Sequence, residues 1–305
     1  LDLIYLAGEY CYFKKVANIL NSSIWKCQLN QSLLPQQQSI LSLSCKVGTM
    51  EEFIEVVAGA GFELDYCQLK PDRADSSLEF SATESVGISR FEVGSCIHHH
   101  IASERGALTF GLLDGPQRPT LIEGREFHPG DLLLAEGDQG IDAVIEDGFA
   151  GHVIRIDKDH LAALAEQHEI ALPKETGTER RLQPEQHLQL ESLLTGIGSV
   201  MASGDACSEL SDLLDTQLPL ALLAAWRGSG SRPARLPGSR QRACYRAVDY
   251  IRSAGGEVRT VQQICEAVGA SYSTLERGFR EAYGISPKQY LVQYRLSAVR
   301  QDLLE

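Results

Sequence analysis

The stretch CIHHHIASERGALTFG, residues 96–111, holds side chains with the spacing of a metal site. His98, His100 and Glu104 follow the pattern His-x-His-x3-Glu, with Gly111 beyond them. Alternate residues of a strand share a face, so His98 and His100 would offer two imidazoles to one side and Glu104 a third ligand. A second constellation lies in ICEAVGASYSTLERGFREAYG, residues 264–284. There Tyr272, Ser273, Glu276, Arg277 and Arg280 form the outward face of a helix expected over 272–283. Arg277 suits the O6 and N7 acceptors of guanine, Glu276 the amino group of cytosine, and Ser273 is tolerant. Arg280 and Tyr272 suit phosphate oxygens, which position a protein without reporting base sequence.

The second constellation needs two short helices held at a fixed angle. Thr260 is the expected cap of VQQICEAV, Gly269 supplies a left-handed turn, and Ser271 caps the following helix. Ile264, Val268, Ala270, Leu275 and Phe279 form the apolar contact, and Cys265 is the small residue at the crossing. The preceding helix, within 243–256, places Cys244, Ala247, Val248 and Ile251 on one face. Downstream, Ser286 caps a helix with Pro287 at its first position and a stripe of Tyr290, Leu291, Tyr294 and Leu303. Gly278, mid-helix, reads as a weak point costing about 1 kcal/mol of propensity.

Upstream the pattern is β-rich. FELDYCQL (62–69), SVGISRFEV (85–93), ALTFGLL (107–113), DLLLAEGD (131–138) and AGHVIRI (150–156) are short runs broken by Gly, Pro and Asp turns. Helices are expected over 157–168, capped by Asp157, and over 183–202 and 208–226. RGSGSRPARLPGSRQR (227–242) has the composition of a flexible basic linker. The expected fold is therefore a two-domain α+β protein: a β-rich barrel with trailing helices (49–226), a linker (227–240), and an all-α helix-turn-helix part (241–305). Residues 1–48 stand apart, holding four of the eight lysines and none of the twenty arginines, and are left as an unassigned leader with two readings open: a variable leader, or non-native upstream sequence translated ahead of a start at Met50.

Net charge is −13, yet residues 227–305 hold 13 Lys and Arg against 7 Asp and Glu, leaving −19 to the rest. A basic tail on an acidic body is the asymmetry expected when one part approaches phosphates. The eight cysteines are scattered without CxxC pairs and are expected as reduced, mostly buried thiols. No apolar run approaches the ~20 residues of a membrane helix. The opening residues lack a secretion signal's basic region and cleavage site. A cytoplasmic location with no membrane partner is the expectation.

The run TVQQICEAVGASYSTLERGFREAYGISPKQYLVQYRLSAVR resembles the first helix-turn-helix and linker helix of the AraC/XylS family of transcription regulators. The small residue at 265, Gly269, Ser271, Leu275, Phe279, Gly284, Ser286-Pro287, Tyr290 and Arg295-Leu296 fall in register, while Val299 stands where Ala is usual. From Met50 onward the body is more weakly similar to ethanolamine-utilisation-type regulators, with a cupin-like barrel. The resemblance implies a non-enzymatic, effector-responsive activator that forms homodimers, contacts promoter DNA and RNA polymerase, and needs no cofactor. It also implies a second helix-turn-helix, of which residues up to Glu305 hold none, so the reading head is expected to be incomplete. Two alternatives remain open: a cupin-type metal protein or enzyme using His98, His100 and Glu104, and a fragment that dimerises without binding DNA.

Overall fold

The computed structural model describes residues 28–31, 40–59, 62–70, 75–103, 105–114, 120–174, 176, 178–203, 207–231, 238–254 and 256–302. Glu104 and Leu303 lie outside them. The N-terminal part is β-rich, with two antiparallel sheets, and the helices are mostly C-terminal.

One sheet runs in the order β1 (Gln28–Gln31), β2 (Leu41–Val47), β4 (Ser76–Ala82), β5 (Val86–Val93), β12 (Phe149–Asp157), β7 (Ala107–Leu113), β10 (Asp131–Glu136), β13 (Thr178–Arg181), β14 (Gly230–Ser231). The other runs β3 (Glu63–Gln68), β6 (Ile97–Ala102), β11 (Ile141–Ile145), β8 (Thr120–Ile122), β9 (Arg125–Phe127). The expected runs 62–69, 85–93, 107–113, 131–138 and 150–156 coincide with five of these strands. Leu41–Val47, inside the segment whose composition stands apart, pairs with Ser76–Ala82 along its whole length, and its Cys45 and Val47 are buried, as is the flanking Ile40.

The sheets face each other across a core that includes Phe80, Phe91 and Leu133 from the larger and Tyr66, Ile97 and Ala143 from the smaller, closed by α1 (Met50–Gly59). The back of the larger sheet is covered by α2 (Lys158–Gln167), α3 (Pro184–Ser203) and α4 (Cys207–Asp212) continuing into α5 (Leu218–Gly228). This double coverage explains why every residue of ALTFGLL is buried and the strand shows no polar alternation. Asp157 caps α2 by accepting from the amides of Asp159 and His160.

The single helix expected over 208–226 is interrupted. Residues 213–217 form a π-helical turn just before Pro219. Proline has no N–H for the carbonyl of Asp215, and His160 supplies the hydrogen bond instead, its Nε2 lying 2.7 Å from that oxygen.

The third core belongs to α6 (Ser239–Ser253), α7 (Val261–Val268), α8 (Tyr272–Tyr283) and α9 (Pro287–Asp302). It is shared with the smaller sheet, because Cys67, Leu69 and Cys96 are buried in the same cluster as Ile251, Phe279 and Tyr290. Five cysteines of the described residues are free, four of them buried.

Candidate nucleic-acid interface

The turn between α7 and α8 is built by local chemistry alone. Thr260 and Gln263 form a reciprocal capping box at the start of α7. Gly269 ends that helix at φ 63°, a left-handed conformation that a Cβ resists. Ser271 then caps α8 by accepting from the amide of Thr274. Leu275 and Phe279 project inward onto Ile264, all three fully buried, while Cys265 at the crossing is half-buried. Gly284, at φ 70°, closes α8, and Ser286 with Gln289 caps α9.

Tyr272, Ser273, Arg277 and Arg280 are exposed on α8, with Tyr272 at 54%. Glu276 is half-buried, and its Oε1 accepts from Nε of Arg280 at 2.9 Å. The Glu276 carboxylate beside Tyr272 raises the phenol's pKa. Glu276 and Arg280 are therefore partnered in the free protein, whereas Arg277 makes no ion pair among the described residues.

Gly278 proves to be a packing residue. A Cβ there would stand 3.1 Å from the carbonyl oxygen of Arg240 and 3.4 Å from Cβ of Cys244. The missing side chain lets α8 approach α6 closely, a reason that propensity alone does not show.

Behind this interface the helices are tied to the smaller sheet. His98 on β6 is fully buried, with Nε2 2.8 Å from Oδ1 of Asp142 and Nδ1 2.7 Å from the hydroxyl of Tyr290 on α9. A carboxylate can only accept, so Nε2 carries the hydrogen and in the neutral ring Nδ1 accepts from Tyr290. Arg252 on α6 donates to Oδ2 of Asp142 at 2.6 Å and lies 3.3 Å from Asp65 on β3. Burial alone would raise the Asp142 pKa, but the hydrogen bonds and charge of His98 and Arg252 outweigh it and hold the carboxyl well below its usual range. Farther along the seam, Gln241 donates to the carbonyl of Gly124, where a Cβ would collide with Tyr245.

Of the metal alternative His98, His100 and Glu104, only the two histidines lie among the described residues. His98 and His100 do share a face of β6, but it is the outer face, toward α6 and α9. Ile97, His99 and Ile101 line the space between the sheets instead. Both nitrogens of His98 are engaged with protein groups, and no cluster of three His, Cys, Asp or Glu among the described residues could hold a metal ion. The apolar alternation Ile97-x-His99-x-Ile101 is the sequence signal for which face turns inward, an assignment that the spacing of the histidines alone does not make. No comparable signal announces the partnership of Asp142 with Arg252, which lie 110 positions apart.

No family model matches this chain, and no curated protein does. Among solved structures, it is similar to the AraC-like transcriptional activator CuxR, at 15% identity over 91% of this chain and 93% of that one, with a TM-score of 0.42. It is also similar to ToxT from Vibrio cholerae O395, at 8% identity over 80% and 82% of the two chains and a TM-score of 0.27. A shorter likeness, to the Clostridium difficile EutQ protein, covers 43% of this chain and 78% of that one at 10% identity and a TM-score of 0.19.

Proposed function

We propose that this chain is a sequence-specific DNA-binding regulator of transcription, reading the major groove with α8. The observation that carries the reading is the capped turn at 260–284. It holds Tyr272, Ser273 and Arg277 exposed on one helix, within the stretch whose charge is +6. Arg277 reads bases, while Tyr272 and Arg280 take phosphates.

The chain divides, in this reading, into a body at 49–226, a connection at 227–240 and a DNA-binding part at 241–305, whose helices have an apolar cluster of their own that also takes in Cys67, Leu69 and Cys96 of the smaller sheet. In this reading the body senses a small effector between its sheets and forms homodimers in the cytoplasm. Effector binding shifts how the recognition helices are presented, and contact with RNA polymerase raises transcription.

The test is enrichment of duplexes from a randomised library, followed by fluorescence anisotropy on the enriched and a scrambled duplex at several salt concentrations. A sequence preference with a steep fall in affinity as salt rises supports the proposal. Dimers without DNA affinity would sink it in favour of a dimerising fragment.

A further inference from the structure

We propose that the cavity between the two sheets takes a small, uncharged, largely apolar molecule with one hydrogen-bonding group, held at the imidazole of His99. This deepens the effector reading above and rests on it for the word effector.

The cavity measures about 90 Å3 and is walled by side chains of both sheets, among them Phe91, Leu133, Ile101 and Ile145. Among the described residues no Asp, Glu, Lys or Arg lines it. A carboxylate or ammonium entering it would lose its hydration and meet no counter-charge among these residues, which disfavours charged ligands.

Four polar side chains reach the lining: His99, Thr109, Thr120 and His152. Nδ1 of His152 lies 2.6 Å from Asp114, and the Thr109 hydroxyl lies 3.4 Å from that of Ser103. Nδ1 of His99 is buried with neither a hydrogen-bond partner nor a paired carboxylate among the described residues. Desolvation by burial, with His98 adding to it, lowers the His99 pKa to about 3 and keeps the ring neutral at physiological pH. A neutral imidazole can both donate and accept, so a hydroxyl or carbonyl compound satisfies it where a hydrocarbon leaves it unpaired.

Size narrows the class further. An apolar cavity of about 150 Å3 accepts benzene. A space of about 90 Å3 calls for fewer heavy atoms than benzene, as in short-chain alcohols, aldehydes and ketones.

The experiment titrates the full chain with isobutanol, butanone, isobutyrate and isobutylamine, read by saturation-transfer NMR and by the thermal midpoint. The alcohol and the ketone should receive saturation and raise the midpoint, and the two ions should do neither. His99→Leu should weaken isobutanol binding about fivefold, the worth of one hydrogen bond. Ala143→Ile should abolish binding by filling the cavity, since Ala143 is the register partner of His99. Circular dichroism verifies that each variant is folded; should His99→Leu unfold, Ala143→Ile carries the test. Binding of an ion as tight as that of the alcohol overturns the proposal. So does an unchanged affinity in a folded variant, or silence from all four compounds. DNA anisotropy on the same preparation is scored separately: ligand binding without DNA affinity sinks the regulator and leaves the cavity assignment standing.

Discussion

The hydroxyl of Tyr290 and Nδ1 of His98 lie 2.7 Å apart, though 192 positions separate them in the chain. One belongs to the last described helix and the other to the middle of a sheet strand, so this hydrogen bond ties the two parts of the molecule together. The rings also approach, with centroids 5.7 Å apart. Tyr290→Phe keeps the ring contact and removes only the hydroxyl, leaving His98 Nδ1 buried without a partner. A loss of about 1–3 kcal/mol is expected in urea unfolding. Faster hydrogen exchange in both β6 and α9 should accompany it, and exchange confined to α9 would contradict the tie.

Asp142 joins the same contact to Arg252, and its carboxyl is held below the ordinary range. A depressed folded pKa means that the contribution is present above the unfolded value near 3.8 and is lost as pH falls below it. Asp142→Asn should cost about 1–3 kcal/mol at pH 7 and flatten the stability curve on the acid side. An unchanged acid limb in that variant would show that the carboxylate does not hold the seam.

His99 gives acid sensitivity in a higher window. Its folded pKa is about 3 against an ordinary 6.5, so below 6.5 the unfolded chain takes up a proton that the native chain refuses. Stability therefore falls with pH from about 6.5 toward 3, by up to about 1.4 kcal/mol per pH unit. Replacement by Leu should remove this slope, measured by urea titrations between pH 4 and 7.

Gly278 separates packing from propensity. Alanine adds about 1 kcal/mol of helix preference but meets Arg240 and Cys244 closely, so a small net change is expected. Valine adds two more methyl groups at the same spot and should destabilise by about 1–3 kcal/mol, read as a lower thermal midpoint. Equal midpoints for the two variants would mean that α6 and α8 are not in close contact.

Within the proposed DNA reading, Arg277 and Arg280 should behave differently. Arg277→Ala should cost about 1–3 kcal/mol on the enriched duplex and little on scrambled DNA, relaxing the base preference. Arg280→Ala should weaken both duplexes in parallel. The Arg280 effect should be the smaller, because its guanidinium is already paired with Glu276. Parallel losses for Arg277→Ala on every duplex would remove it from base reading.

The sequence by itself determined the short-range features. Thr260 and Ser271 cap, Gly269 turns, Asp157 starts α2 and the five β-rich runs become strands, since each depends on neighbours a few residues away. It also placed Tyr290 and Leu291 on a buried stripe, because a helical period of 3.6 is local information. Only the tertiary structure decided which side of β6 looks inward. Alternation fixes that His98 and His100 share a face, but the partners packed on each face fix which face it is. Likewise Gly278 looks like a defect until the backbone of Arg240 is seen against it. Strand and helix periods are written along the chain. The pairing of Asp142 with Arg252, and the cavity that encloses His99, come into being only when distant segments meet.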